Sequence, residues 1–228
     1  MESLLRRSVA EAVGTFGFIF AGAGVVVASV FPGAGYGLLG IALVHAIALS
    51  IMVTATMNIS GGHINPAVTI SLLAVRRINL QTALVYIAAQ LTGAVLAGVA
   101  IKMLLPSQVV RGALSGVPTI AATMTTGKAI ALEAMLTFFL VSAVFGTAVN
   151  PDAPKVGGFG IGLVLFFDIM IGGPLTGAVM NPARAFGPAV VSGTWTGQGI
   201  WWVGPIIGGV IAAILWDRVL LPRHQPAS

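Results

Sequence analysis

The sequence contains no cysteine. This excludes disulfides, thiolate metal sites and a cysteine nucleophile. Charged residues are also scarce, at 7% of 228 residues, whereas a soluble domain is about one-quarter charged. Such a chain cannot cover the surface of a soluble protein with polar groups. The net charge of +5 comes from scattered basic residues that flank apolar runs, a pattern that does not indicate nucleic-acid binding.

Apolar residues make up 57% of the chain, and they form runs of about 20 residues, the length that a membrane-spanning helix requires. The six predicted spans are 9–31, 36–57, 81–105, 128–149, 156–174 and 198–221. The first run is too long for a cleaved signal peptide, and no run alternates as the strands of a membrane β-barrel do. The sequence predicts an all-α membrane protein with six transmembrane helices.

The basic residues predict the orientation of these spans. If the N-terminus is cytoplasmic, the inner segments carry Arg6, Arg7, Arg76, Arg77, Lys155, Arg218 and Arg223. The outer segments then carry Lys102, Arg111 and Lys128. The excess on one side follows the positive-inside rule. We expect both termini to be cytoplasmic in an integral, multi-pass protein of the cell (inner or plasma) membrane.

The chain contains an internal repeat. "EAVGTF" at 11–16 recurs as "EAMLTF" at 133–138, and Asn-Pro-Ala follows the second span and again the fifth. Each half therefore has three spans, so the halves enter the membrane in opposite orientations, as in other transport folds. We expect one domain over 1–228, with repeats at about 8–105 and 128–222 and a linker at about 106–127.

Each Asn-Pro-Ala motif precedes an apolar stretch too short to span. The motifs are Asn65, Pro66 and Ala67, and Asn181, Pro182 and Ala183. About ten helical residues rise about 15 Å, half of a bilayer core. Asn is a favoured helix cap and Pro a favoured first helical residue. The sequence predicts two re-entrant half-helices whose N-termini meet near the middle of the membrane.

These residues identify a family resemblance. The paired motifs, the repeated glutamate, "SGGHINPAVT" and "MNPARAFGP" resemble the major intrinsic proteins, which are the aquaporins and glycerol facilitators. The resemblance covers about residues 8–222. It implies an aquaporin-like fold of six helices and two half-helices around one pore per subunit, a homotetramer, passive transport and no cofactor.

The resemblance implies a role for the motif region in conduction. The side-chain N–H groups of Asn65 and Asn181 would hold a passing water by its oxygen, and the positive ends of both half-helices would repel cations. Backbone carbonyls would add acceptors along the pore, at Gly61, Gly62, His63, Gly177, Ala178 and Val179.

A selectivity filter is implied by spacing to the motifs. Its corners are His45, Ile169, Ala178 and Arg184. Strict water channels have an aromatic residue in place of His45 and a histidine in place of Ile169, so this set is similar to that of ammonia-permeable aquaporins, including plant tonoplast channels. Ala185 stands where glycerol facilitators usually have Asp. The resemblance implies permeation of water and ammonia, with hydrogen peroxide as a further candidate permeant and a glycerol or small-solute facilitator as the alternative.

Three acidic residues fall within the spans. Glu11 and Glu133 correspond in the repeat, so we expect each to accept hydrogen bonds from a re-entrant loop. Asp168 precedes Ile169 but points about 100° away from it on a helix, and we expect it to bind a neighbouring helix or loop.

Simpler interpretations remain open. The asparagines could merely cap helices, His45 could be a packing residue, and Arg184 could reach towards the membrane surface. A coupled secondary transporter shares inverted repeats, although no carboxylate is predicted at the midplane here. A non-conducting scaffold of the same fold is a further alternative. An enzyme is not expected, because no nucleophile, base or metal cluster is recognisable.

Overall fold

A computed structural model describes residues 3–222, and regular structure in that range is entirely helical. In chain order the helices are α1 (Leu4–Ala28), α2 (Gly37–Ser60), α3 (Pro66–Ala74), α4 (Leu80–Leu104), α5 (Ser107–Gly112), α6 (Thr126–Val144), α7 (Phe159–Thr176), α8 (Pro182–Ser192) and α9 (Gln198–Leu215). A 3₁₀ turn (Leu114–Gly116) follows α5, and π-helical turns extend α6 and α9 as Phe145–Val149 and Trp216–Leu220. Six of these helices in residues 3–222 are long and apolar enough to cross a membrane. The predicted fold class is confirmed, while Arg223 lies outside the described residues.

Several helices begin earlier than their apolar runs predict. Helix α1 starts at Leu4 because the Ser3 side chain accepts a hydrogen bond from the backbone N–H of Arg6, at 3.2 Å. Thr125 caps α6 in the same way, ahead of the predicted start at residue 128. A polar cap satisfies backbone donors that the helix leaves free. Hydropathy alone places these ends too late, because the capping turns are polar.

The helix contacts of the first half recur in the second. Helix α1 packs against α2 and α4, and α6 packs against α7 and α9. The short helices cross between halves, since α8 contacts α4 and α3 contacts α9. Contact between α2 and α7 joins the halves directly. Exchanging α1–α4 for α6–α9 leaves this pattern unchanged, as expected of a repeat.

Glycines permit the closest helix approaches. A Cβ on Gly93 in α4 would collide with the carbonyl oxygen of Ala12 in α1. A Cβ on Gly98 would lie 3.1 Å from the carbonyl oxygen of Gly187 in α8. Small residues at such positions let membrane helices pack backbone to backbone.

The outer surface is apolar and the interior holds the polar groups. Leu39, Leu43, Ile47 and Ile51 form a stripe along α2 and are between 46% and 59% exposed. Glu11, Glu133 and Asp168 have no exposed surface, by contrast. This distribution suits a helix bundle surrounded by lipid tails.

The segment between the halves is folded onto the bundle. It contains α5 and the 3₁₀ turn. The backbone N–H of Ala121 donates to the carbonyl oxygen of Leu175 near the end of α7, at 2.9 Å. The stretch predicted as a linker therefore packs over one end of the molecule.

Candidate functional site

Each re-entrant loop begins with a sharp reversal at the end of a long helix. Gly61 ends α2 with φ 96°, and Gly177 ends α7 with φ 83°. Ile64 and Met180, one residue before each motif, also have positive φ, at 41° and 52°. Side chains larger than glycine are uncommon in that region. Both loops therefore hold a strained backbone at equivalent points.

Buried glutamates hold these loops. Each carboxylate accepts hydrogen bonds from two consecutive backbone N–H groups. The bonds are His63 N to Glu11 Oε1 at 2.9 Å, Ile64 N to Glu11 Oε2 at 2.6 Å, Val179 N to Glu133 Oε1 at 2.9 Å and Met180 N to Glu133 Oε2 at 2.8 Å. Charge-assisted bonds to a carboxylate are among the stronger hydrogen bonds, and they satisfy donors that lie away from bulk water.

Two aromatic side chains complete the support, and the sequence did not predict them. The Tyr86 hydroxyl donates to the carbonyl oxygen of Ser60 at 2.8 Å, and Trp201 Nε1 donates to that of Thr176 at 2.9 Å. Ser60 and Thr176 are the last residues of α2 and α7. Both donors therefore bind a carbonyl that a helix end leaves free. Any residue offers a backbone carbonyl, so the sequence does not mark which carbonyl will accept a hydrogen bond. Only the equivalent positions of Tyr86 and Trp201 in the two repeats could have indicated that they support the loops.

The two half-helices are capped by the motif asparagines. The Asn65 side-chain oxygen accepts from Ala67 N at 2.8 Å, and that of Asn181 accepts from Ala183 N at 3.0 Å. Pro66 and Pro182 open the helices. Both caps follow the sequence prediction.

The same asparagines also bind across the two loops. Asn65 Nδ2 donates to the carbonyl oxygen of Met180 at 2.9 Å, and Asn181 Nδ2 donates to that of Ile64 at 3.0 Å. An asparagine amide has two N–H donors, so each retains a second. The crossed bonds place the N-termini of α3 and α8 side by side.

A cavity of about 160 Å³ lies on one side of this junction. His45, Ile169 and Arg184 line it, together with Val117, Pro118 and Thr119 from the segment between the halves. Ala178, the fourth predicted filter residue, is not among the lining residues; its Cβ lies beside Gly172 of α7. Gly177 lines the cavity in its place. Three of the four predicted filter residues thus come together.

A backbone carbonyl orients Arg184. The guanidinium is buried, and its Nη1 donates to the carbonyl oxygen of Gly116 at 2.6 Å. Gly116 belongs to the 3₁₀ turn and has φ 83°. The sequence assigned this stretch only to a linker. The only feature of the sequence that could have indicated a tight turn here is the glycine at 116, which can adopt the left-handed backbone conformation.

His45 is fixed by the backbone of its own helix. Its Nδ1 lies 2.8 Å from the carbonyl oxygen of Ile41. A carbonyl only accepts, so Nδ1 carries the hydrogen of this bond. A Cβ on Gly22 of α1 would lie 2.7 Å from His45 Nε2. Gly22 therefore leaves the space that the imidazole occupies.

A larger cavity, about 700 Å³, lies at the other end of α1 and α2. Gly61, Gly62 and His63 line it, as do Arg7 and Arg77. The His63 Nδ1 lies 3.1 Å from Thr69 Oγ1, so this ring is tied to α3. The Asn65–Asn181 junction lies between this cavity and the smaller one.

Val179, whose backbone carbonyl is a predicted pore acceptor, is not among the residues that line either cavity. It packs in a small apolar cluster with Ala185 and Trp201. Its backbone serves the loop through the Glu133 bond instead.

Within the described part of the chain, Asp168 does not hydrogen-bond to a neighbouring helix or loop as expected, although it lines neither cavity. This residue has no exposed surface, yet neither carboxylate oxygen has a hydrogen-bond partner among the described residues. Unlike Glu133, it receives no hydrogen bond from the backbone of a re-entrant loop. Within residues 3–222, no three His, Asp or Glu side chains are grouped as a metal ion would require.

Comparisons with known proteins converge on one family. The model of the Major intrinsic protein family matches residues 1–216. Aquaporin TIP4-4 of Zea mays is 42% identical over 234 residues, which cover 97% of this chain and 90% of that protein. Probable aquaporin TIP3-2 of Arabidopsis thaliana is 38% identical over 253 residues, covering 98% and 90%. The aquaglyceroporin of Plasmodium falciparum has the same fold, with a TM-score of 0.80 at 22% identity over 96% of this chain and 97% of that one.

Proposed function

The chain belongs to the major intrinsic protein family, a family of passive membrane channels that includes the aquaporins, and we propose that it conducts ammonia as well as water while excluding protons and ions. The observation that carries this proposal is the crossed asparagine pair between two cavities at opposite ends of α1 and α2. Hydrogen peroxide is a further proposed permeant, because it is small, neutral and able to donate and accept hydrogen bonds.

The proposed path runs from the larger cavity, past the asparagines, to the smaller one. Each asparagine donates one side-chain N–H to a backbone carbonyl of the opposite loop and has a second N–H that can bind a permeant. A water held by its oxygen at this point turns its own hydrogens along the path. The water molecules in the path then do not form a hydrogen-bonded chain of one orientation, which protons need in order to hop from one water to the next.

Positive charge opposes cations at two levels of the path. The N-terminus of each half-helix carries roughly +0.5 of an elementary charge, and both N-termini adjoin the asparagines. Arg184 adds a full charge at the smaller cavity, where its bond to Gly116 holds it in place. Buried arginines at membrane depth are expensive and mark functional sites.

Ammonia selectivity is assigned to the facing pair His45 and Ile169. Both line the smaller cavity with Arg184. The aliphatic face of Ile169 leaves room, while His45 and Arg184 supply polar partners on the other sides. Neutral ammonia has one lone pair to accept from Arg184 and hydrogens to donate, whereas ammonium is repelled by the same arginine.

Stopped-flow light scattering on proteoliposomes tests conduction. We expect rapid osmotic shrinkage with a low activation barrier and no need for an ion gradient. Shrinkage that depends on an ion gradient would indicate a coupled transporter, and shrinkage no faster than that of protein-free liposomes would indicate a scaffold. Rapid glycerol re-entry on the same preparation would instead favour the facilitator alternative.

Substitution of the facing pair tests ammonia selectivity. In the variant His45→Phe with Ile169→His, ammonia permeability should fall much more than water permeability. Internal alkalinisation under an ammonium gradient measures the first, and osmotic shrinkage of the same vesicles measures the second. Equal ammonia-to-water ratios in parent and variant would show that these positions do not set selectivity.

Orientation and assembly complete the proposal. Arg77 pairs with Asp217 at 2.8 Å, which brings the start of α4 and the end of α9 to one face. That face also carries Arg7 beside the larger cavity. We assign it to the cytoplasm, and protease protection of tags at the two termini checks this. We also propose a homotetramer, which native mass spectrometry of the detergent-solubilised protein tests.

A further inference from the structure

A third pocket, about 220 Å³, lies outside the proposed path, between the ends of α4, α5 and α8. Two cations, Lys102 and Arg111, line it, and so do the hydroxyl-bearing residues Ser115, Ser192 and Thr194. The route of permeation does not use these side chains. Guanidinium, ammonium and hydroxyl groups together match the donors that bind phosphate oxygens in proteins.

The two cations have no counter-charge in the part of the chain that the structure describes. No acidic residue lines the pocket. The ion pairs found among the described residues involve Asp217 at the opposite face, and neither Lys102 nor Arg111 takes part in them. Both side chains are exposed. Two uncompensated cations at the rim of a concave pocket favour an anion there.

The surroundings of the pocket place it at headgroup depth. Met103 and Leu104, which follow Lys102 at the end of α4, are 78% and 71% exposed, as expected of side chains in contact with lipid tails. Trp195, just beyond Thr194, is 51% exposed. Tryptophan is enriched where lipid tails meet headgroups. The cations therefore lie where the phosphates of a bilayer lie.

We propose that this pocket binds the phosphate of an anionic phospholipid headgroup. Lys102 and Arg111 bind the phosphate oxygens, and the hydroxyls of Ser115, Ser192 and Thr194 offer further donors. The exposed end of α4 accommodates the acyl chains. A free phosphate ion shares the headgroup chemistry but makes no contact with Met103 and Leu104.

The pocket is connected to the filter, a link that rests on the proposed function. Leu114 and Ser115 have φ of 47° and 58°, an uncommon backbone conformation for residues with side chains. The next residue, Gly116, accepts the hydrogen bond from Arg184. A lipid that binds Ser115 therefore steadies the turn that orients the filter arginine.

Thermal unfolding of the purified full-length protein in detergent tests binding without any flux measurement. Short-chain phosphatidylglycerol should raise the midpoint in a saturable way, and phosphatidylcholine of the same chain length should raise it much less. The variant Lys102→Gln with Arg111→Gln should bind phosphatidylglycerol about thirtyfold more weakly, at roughly 1 kcal/mol for each basic residue near the membrane surface. The charge-preserving variant Lys102→Arg with Arg111→Lys should retain most of the effect.

The matched control removes the same charge elsewhere. Lys128→Gln with Lys155→Gln leaves the pocket intact and should keep the parental response. An equal loss of response in both double variants would reduce the effect to net charge and overturn the site. An equal shift from inorganic phosphate at the same concentration would also overturn the lipid assignment. A variant whose unfolding midpoint without lipid differs from that of the parent is replaced by Arg111→Gln alone, which must still weaken binding for the proposal to stand.

Flux separates the site from its effect on the filter. In phosphatidylcholine liposomes, adding phosphatidylglycerol should change water or ammonia permeability of the parent but not of the Lys102→Gln, Arg111→Gln variant. If the variant no longer binds phosphatidylglycerol but its permeability responds to this lipid as much as that of the parent, the binding site stands and its link to Arg184 is refuted. Absence of conduction in every preparation would refute the proposed function while the binding result stands unchanged.

Discussion

In the proposed function, Arg184 is the residue on which exclusion of charge depends most directly. Its guanidinium is buried and held by one carbonyl, that of Gly116. Replacing it with valine removes the cation but leaves a residue that fits an apolar surrounding. We expect Arg184→Val to fold and to conduct water while its proton or cation leak rises above the parental level.

A pH-sensitive dye inside proteoliposomes measures the leak of Arg184→Val under a proton gradient. Arg218→Val removes an exposed arginine at the end of α9 and serves as the control. A leak in the Arg184 variant that matches both parent and control would refute the exclusion role.

Glu133 and Asp168 are buried carboxylates with opposite surroundings. Glu133 receives hydrogen bonds from Thr176, Val179 and Met180, whereas Asp168 has no partner among the described residues. In Glu133→Gln an amide N–H would face a backbone N–H, and leaving a buried donor without an acceptor costs about 1–3 kcal/mol. We expect its thermal midpoint to fall by about 2–4 °C for each kcal/mol lost.

Asp168→Asn makes the same chemical change where no hydrogen bond is lost, so its midpoint should not fall. The pair is compared by scanning fluorimetry in one detergent. A larger fall for Asp168→Asn than for Glu133→Gln would show that Asp168 holds an essential bond.

At the scale of residues, the sequence predicted the structural roles of residues that occur at equivalent positions in both repeats. Glu11 and Glu133 occupy equivalent positions, and each receives two backbone N–H groups. It could not predict Gly116 as the acceptor for Arg184, because any residue offers a carbonyl. It misjudged Asp168 because a helical wheel indicates a direction and not what lies there.

At the scale of elements, the close packing of α1 against α2 leaves little free space around His45. A methyl group at Gly22 would lie 2.7 Å from His45 Nε2, so the imidazole would have to move. Overpacking of this kind costs typically about 1–3 kcal/mol. We expect Gly22→Ala to lower water permeability and to alter the ammonia-to-water ratio.

Gly24→Ala is the matched control for Gly22→Ala, because a Cβ there would meet nothing within 4 Å. Both variants lie in α1 and add one methyl group, so the difference between them in stopped-flow assays isolates contact with His45. Equal permeability in the two would mean that His45 tolerates displacement.

Elements were predictable where one strong signal decides them. Long apolar runs located the six spans, and Asn before Pro located the starts of α3 and α8. Helix α5 was not predicted because it has six residues, too few to show a periodic pattern. The path of the 3₁₀ turn depends on packing of Gly116 against Ala23 of α1, which is a contact between distant parts of the chain.

For the whole molecule, the lack of cysteine has a direct pharmacological consequence. Mercuric salts act on thiols, and this chain has none. Water flux through the parent should therefore persist in mercuric chloride. Thr119→Cys places a thiol at the smaller cavity and should make flux sensitive to mercury in a way that a thiol reagent reverses. Block of the parent, reversed by that reagent, would contradict the expectation.

The crossed asparagine bonds also impose an order on biosynthesis. Ile64 and Asn181 are separated by 117 residues, so at about 5–20 residues per second the first loop waits on the order of ten seconds for its partner to leave the ribosome. Until then the Ile64 carbonyl and one Asn65 N–H need water or another protein as a substitute. We expect a chain that stops at residue 125 to leave an Ile64→Cys thiol open to a water-soluble maleimide, while the completed chain, in which Ile64 is fully buried, protects it. Until the second half is made, the first half therefore depends on the membrane-insertion machinery to keep its unfinished loop in contact with suitable hydrogen-bonding partners.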